Sequence, residues 1–143
     1  MSNVVGNFNF KYKGEIQMID FKNGSTAYTV LKMVDNESYS QLVSPFFVTG
    51  EEIIGTYKGM RDGVVFTNKR IIAINVQGLT GKKKDFTSIP YSKIQAFAVE
   101  TAGVLDLDSE LEICISGLGT IKFDFSSDTN ISSICKIISE QIL

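Results

Sequence analysis

The sequence predicts a mainly β domain: a seven-stranded barrel or sandwich capped by one C-terminal α-helix and preceded by an extra N-terminal segment. Three observations predict it. Between residues 51 and 125, short apolar runs are punctuated by turn residues about every 8–12 positions, the spacing of a sandwich or barrel. Within those runs apolar residues recur with period two, as on a half-buried strand. After residue 126 the period becomes that of a helix face. The chain has 143 residues, 43% of them hydrophobic. That is enough for one domain whose core needs no disulfide or metal, and too apolar for disorder.

Taken in order, residues 1–34 read as an N-terminal extension. Phe8, Phe10 and Tyr12 alternate with Asn9, Lys11 and Lys13. Residues 15–21 and 26–33 flank Lys22-Asn23-Gly24-Ser25, and Asn-Gly is a strong hairpin signal, so a β-hairpin is the favoured reading. The rival is a helix capped by Ser25, with Ala27, Val30, Leu31 and Val34 as its stripe. Residues 35–47 read as a short helix with Tyr39, Leu42, Val43 and Phe46 as apolar positions and Gly50 beyond its end. Pro45 makes its last turn irregular.

The seven strands follow. Residues 51–57 close on Gly59 and Arg61-Asp62-Gly63, residues 64–67 on Asn68-Lys69. Residues 70–76 place Ile72, Ile74 and Val76 on one face and Ile71, Ala73 and Asn75 on the other. A loop bracketed by Gly78 and Gly81 runs into Lys82-Lys83-Lys84, and residues 85–89 stop at Pro90, which has no amide for a ladder. In residues 93–101, Ile94, Ala96 and Ala98 oppose Phe97 and Val99. Residues 110–116 and 120–125 alternate most cleanly across a Gly117/Gly119 turn, with Leu111, Ile113, Ile115, Ile121, Phe123 and Phe125 inward. Ser126-Ser127-Asp128 offers cap side chains to a helix whose stripe is Ile131, Ile134, Cys135, Ile138 and Ile142. That stripe can plug an open end of the barrel, which makes Cys135 a core residue.

Composition narrows the function. With no histidine there is no Ser-His-Asp or Cys-His nucleophile, no histidine acid or base and no histidine zinc ligand. Cys114 and Cys135 cannot alone make a zinc site, and spacing leaves a disulfide between them open. Neither a signal peptide nor an apolar run of spanning length is evident, so the thiols read as reduced and the expected setting is the cytoplasm. No catalytic, cofactor-binding or metal-ligating residue is expected; the domain reads as non-enzymatic. The segment around Asp106, Asp108, Glu110 and Glu112 lacks the central glycine and distal glutamate of a calcium loop.

Charge is unevenly placed. The net charge is −2, but residues 58–93 carry eight Lys and Arg against Asp62 and Asp85, a balance of +6. Residues 94–128 carry seven carboxylates against Lys122, a balance of −6. An acidic second half argues against nucleic-acid binding, which needs a broad basic face.

Several blocks, in order, resemble one family. They are Gly50-Glu51-Glu52-Ile53, Tyr57-Lys58-Gly59-Met60-Arg61-Asp62, Val65-Phe66-Thr67-Asn68-Lys69-Arg70 and Gln77-Gly78-Leu79-Thr80-Gly81-Lys82-Lys83. Ser88-Ile89-Pro90-Tyr91 and Val99-Glu100-Thr101-Ala102-Gly103, with Asp106, Asp108, Glu110 and Leu111, continue the match. Residues 35–143 thereby resemble the bacterial pleckstrin-homology-like (bacterial PH) domain family; residues 1–34 depart from it. The resemblance implies a non-enzymatic, pleckstrin-like barrel capped by a helix, and members that assemble into rings of identical subunits.

Two candidate surfaces follow. In eukaryotic pleckstrin domains, basic residues on the loops equivalent to 59–63 and 77–84 hold inositol phosphates. Lys58, Arg61, Lys82, Lys83 and Lys84 are therefore a candidate anion or partner site. The strand 64–67 carries no basic residue, and three adjacent lysines make a weak membrane patch at about 1 kcal/mol each, so membrane contact is the lesser expectation. The second is an acidic edge, Asp106, Asp108, Glu110 and Glu112, for self-association. A basic surface from one copy meeting an acidic one from the next would form a head-to-tail ring, with Val65, Ile71, Ala73 and Cys114 supplying apolar area. The expected partners are the chain itself and an unidentified protein.

Overall fold

A computed structural model describes residues 25–77, 81–105 and 108–143. Its strands are β1 (Ser25–Val34), β2 (Ile53–Lys58), β3 (Asp62–Thr67), β4 (Arg70–Gln77), β5 (Lys83–Pro90), β6 (Ile94–Glu100), β7 (Ser109–Ile115) and β8 (Gly119–Phe125). The helices are α1 (Glu37–Val43), extended by a 3-10 turn at Ser44–Phe46, and α2 (Ile131–Ile142). A second 3-10 turn, Tyr91–Lys93, joins β5 to β6. The strands form one sheet in the order β5-β4-β3-β2-β1-β8-β7-β6.

The seven strands expected from residue 51 onward are all present, and the second arm of the expected hairpin, residues 26–33, is a strand rather than a helix. That strand sits in the middle of the sheet, antiparallel to β2 and parallel to β8. The sheet therefore runs across residue 34. The hairpin's first arm and its Asn23-Gly24 turn lie outside the described residues.

One core fills the space between β2–β5 and β6–β8. Leu31, Phe66, Ile71, Leu111, Phe123 and Phe125 are fully buried in it, and the Tyr57 ring meets Phe125 edge-on at 5.0 Å. The α2 stripe closes the core with Ile131, Ile134 and Ile138, and Cys135 packs against it half-buried. The cap differs from the expected one. Asn130, not Ser126-Ser127-Asp128, accepts the Ser133 N–H at 3.2 Å, because the helix begins at Ile131, past the expected cap residues, of which Ser126 and Asp128 bond each other.

A second, smaller cluster covers the opposite face of β3 and β4, where Tyr39 and Val43 of α1 pack on Val65, Ile72 and Ile74. Both faces of these strands are thus covered. This corrects the expectation that Val65, Ile71 and Ala73 offer exposed apolar area: all three are buried. Strands covered on both faces read as continuous apolar runs, and 64–66 and 71–74 have that character. Gly63 makes the α1 contact possible, since a Cβ there would lie 2.3 Å from Tyr39 Cε2.

The Gly50-Glu51-Glu52 block and the Thr67–Arg70 turn lock together. The buried Glu51 carboxylate accepts hydrogen bonds from Arg70 Nε and Nη2, both at 2.9 Å, from Thr67 Oγ1 at 2.8 Å and from the Val48 N–H at 3.0 Å. Arg70 also donates to the Phe46 carbonyl, which ties the 3-10 turn to β4. Asn68 accepts the Glu52 N–H and donates to the Gly50 carbonyl, each at 2.9 Å.

Candidate functional site

The candidate basic residues come from two turns at one end of the sheet. Lys58 ends β2, Arg61 lies in the β2–β3 turn, and Lys82–Lys84 lead into β5. The turns are neighbours: Val76 donates its N–H to the Arg61 carbonyl at 2.8 Å, and Val76 is the β4 partner of Lys84. Lys82 and Lys83 are exposed, whereas Lys84 is half-buried and donates to the Gly81 carbonyl at 3.1 Å. Lys83 pairs with Gln77, one residue out of step with Lys84, so it leaves the sheet on the other face. The five residues thus separate into a Lys58/Arg61 pair and an edge-strand group.

Lys58 has a different neighbour, Lys32 of β1, its direct partner in the ladder. The row continues through Gly63, Ile74 and Phe86, with Tyr39 packed over Gly63. The Lys58 ammonium lies 5.8 Å from the centre of the Tyr39 ring. Burial, and secondarily the charge of Asp62, raise the Tyr39 hydroxyl above its ordinary pKa, and burial raises the Asp62 carboxyl. Lys32 escaped sequence reasoning: its charge was visible, but only strand pairing places it opposite Lys58.

The acidic residues occupy the other half of the sheet. Glu100, Glu110 and Asp124 form one row across β6, β7 and β8, and Ala98, Glu112 and Lys122 form the next. Lys122 Nζ lies 2.9 Å from Glu110 Oε1, and that hydrogen bond leads the effects holding the ammonium above its ordinary pKa. Asp108 is exposed beside this face; Asp106 lies outside the described residues. Glu100, Asp124 and Lys122 belong to the face as much as Glu110 and Glu112 do. Among the described residues, Lys82, Lys83 and Lys84 lie at β5 beside Asp85; Glu100, Glu110, Glu112 and Asp124 lie on β6–β8 beside Lys122, and Lys93 of the basic half stands next to β6.

The edges themselves are unlike. Among the described residues, β5 pairs only with β4 and β6 only with β7. β5 carries Lys83, Lys84 and Asp85 at one end and Pro90 at the other. β6 carries no charge from Ile94 to Val99, and Ala96, Ala98 and Val99 are exposed. A bulge between Ile94 and Ala96 shifts the parity of this strand, which lets Ile94 and Phe97 both reach the core. Both cysteines are free thiols, and no helix among the described residues is long and apolar enough to cross a membrane.

Comparison with known proteins gives a consistent likeness. The sequence pattern of the bacterial PH domain matches residues 11–142. The Bacillus subtilis (strain 168) protein YjqA is 49% identical over 92 residues, which are 63% of this chain and 74% of that one. Two crystal structures superpose on the chain. A DUF1696-family protein with a pleckstrin-homology domain from Shewanella loihica PV-4 has a TM-score of 0.71 and 37% identity, covering 81% of this chain and 100% of that one. A pleckstrin homology domain from Shewanella amazonensis SB2B has a TM-score of 0.61 and 41% identity, covering 77% and 90% respectively.

Proposed function

The chain belongs to the bacterial PH domain family, and on that premise we propose that it is a non-catalytic interaction and scaffolding module whose copies join head to tail into a closed ring. In each contact the β5 edge of one copy meets the β6 edge of the next. One observation carries the reading: β6 is an edge strand whose residues 94–99 are uncharged, with a single strand neighbour among the described residues. Sheet edges left open invite another strand, and proteins that remain monomeric usually protect them with charge, proline or cover.

Charge supports the choice of mate. Lys82, Lys83 and Lys84 flank β5, and Glu100, Glu110, Glu112 and Asp124 flank β6. Complementary patches of this kind steer encounter and fix register. The contact joins two different surfaces, so it is heterologous and propagates until a rotation closes it. A closed ring pairs both edges of every copy and leaves none to recruit further chains.

Replacing Ala96 and Ala98 together by lysine tests this. Ala98 faces Glu112 across β6–β7, so the new charges suit the folded chain while opposing the lysines of an incoming β5. The expected result in light scattering is a fall to monomer mass with an unchanged melting temperature. A multimer of unchanged mass would reject the β6 contact.

A further inference from the structure

Pairing two sheet edges is a narrow contact, whereas a specific interface between folded chains buries about 1,200–2,000 Å² in total. A head-to-tail assembly therefore needs side-chain area beside its paired strands, and the chain exposes apolar groups next to each edge. The loop that follows β6 carries Val104 and Leu105, which are 93% and 99% exposed. Val99, near the end of β6, is exposed as well. Two neighbouring aliphatic side chains turned wholly to solvent add nothing to the core of their own chain. They form an apolar finger that continues the β6 edge.

A complementary shelf lies at β5. Phe46, in the 3-10 turn after α1, rests on Phe86 of β5, with ring centres 4.9 Å apart and planes tilted by 49°. Phe46 is 47% exposed and Val48, just beyond that turn, is 58% exposed, while Phe86 packs on the cluster beneath α1. Arg70 fixes this arrangement. Its guanidinium is held by Glu51 and donates both to the Phe46 carbonyl and to the Ser88 hydroxyl of β5. Phe86 and Ser88 alternate along the strand and so leave it on one face. The shelf is thus pinned to the edge strand itself, and little ordering is left to be met when a partner arrives.

Reach and charge identify the occupant as a second copy. A strand added to β5 runs about 5 Å from it, and the six steps from Val99 to Leu105 span up to roughly 20 Å. A β6 laid along β5 therefore carries its loop within reach of the shelf. Residues 94–121 contain no lysine or arginine, whereas β5 opens on Lys82, Lys83 and Lys84 against Asp85. The two surroundings are complementary in sign. Within one copy Val104 and Leu105 stay almost fully exposed, so the contact has to form between copies. We infer that Val104 and Leu105 of one copy dock on Phe46, Val48 and Phe86 of the next, an inference that rests on the head-to-tail reading above. Strand pairing orients the contact and the docked finger anchors it. Finger and shelf are different surfaces of one chain, as a heterologous contact requires.

The chain contains no tryptophan, so Leu105→Trp supplies a single fluorescent reporter that keeps the finger apolar. On the full chain, with mass read by sedimentation of the same sample, emission from the assembled variant is expected to lie to the blue of the urea-unfolded chain. Adding Phe46→Ser should move it to the red. Without the reporter, Val104→Ser with Leu105→Ser is expected to raise the dissociation constant of the assembly roughly tenfold. Circular dichroism of that pair should match wild type, since both side chains are exposed. Phe46→Ser should weaken assembly by a similar factor and add nothing to the finger pair, because both changes remove the same contact. A multimer whose introduced tryptophan emits as in the unfolded chain overturns the docking and leaves the edge pairing standing. So does a serine pair that dissociates no more readily than wild type. A wild-type chain that is monomeric at micromolar concentration overturns the edge pairing itself, and this contact with it.

Discussion

Gly63 and Glu51 show how single atoms decide the frame on which both surfaces hang. A methyl group at Gly63 would lie 2.3 Å from the Tyr39 ring, far inside contact distance. Gly63→Ala should therefore lower stability by about 1–3 kcal/mol through overpacking. In a Tyr39→Ala background the same change should cost little, because the colliding ring is gone, and denaturant titration of the four-member cycle measures that coupling. Glu51 makes a different prediction. Burial alone would raise its carboxyl, but the hydrogen bonds from Arg70, Val48 and Thr67 and the charge of Arg70 outweigh it and hold the pKa below its ordinary value. The stability this supplies is complete above the unfolded value, near 4.3, and is lost as pH falls through the lower folded one. In that window the unfolded chain binds more protons, so stability rises with pH. Glu51→Gln should flatten this rise and, at pH 7, cost about 1–3 kcal/mol, because Arg70 loses its charged acceptor but keeps the Phe46 carbonyl and Ser88 hydroxyl. Melting curves across the acid range check both.

At the scale of elements, period and partner separate. Alternation in residues 110–116 and 120–125 and the stripe of 131–142 reported buried faces directly, because each element has one covered side. Residues 64–66 and 71–74 misled for the opposite reason. With a core on one face and α1 on the other, their second apolar set is buried too. Periodicity also cannot say which strands pair. Lys58 and Arg61 were visible as site candidates, but Lys32 became their neighbour only through the β1–β2 ladder and the β1 bulge. The helix cap is Asn130 because the helix begins at Ile131, past the expected cap residues, of which Ser126 and Asp128 bond each other. The edge strands give the prediction of this scale. Changing Lys82, Lys83 and Lys84 together to glutamate should weaken assembly at physiological salt. Added salt should weaken the wild-type assembly, since exposed charges are screened beyond about 8 Å at 0.15 M, and should partly restore the variant's. Sedimentation at two ionic strengths reads both slopes.

For the whole molecule, the near-neutral charge of −2 conceals a balance of +6 over residues 58–93 and −6 over residues 94–128. Lys58, Arg70, Lys83 and Lys84 lie on β2–β5 together with Asp62 and Asp85; Glu100, Glu110, Glu112 and Asp124 lie on β6–β8 together with Lys122, and the sheet order leaves β5 and β6 at its two ends. A domain with one positive and one negative edge, the latter unguarded by charge along its own strand, is suited to bind copies of itself in a single direction. The most direct test of the central claim is the mass of the wild-type chain by sedimentation at micromolar concentration. The account predicts one discrete closed multimer with no free-monomer fraction, and a monomer across that range would contradict it.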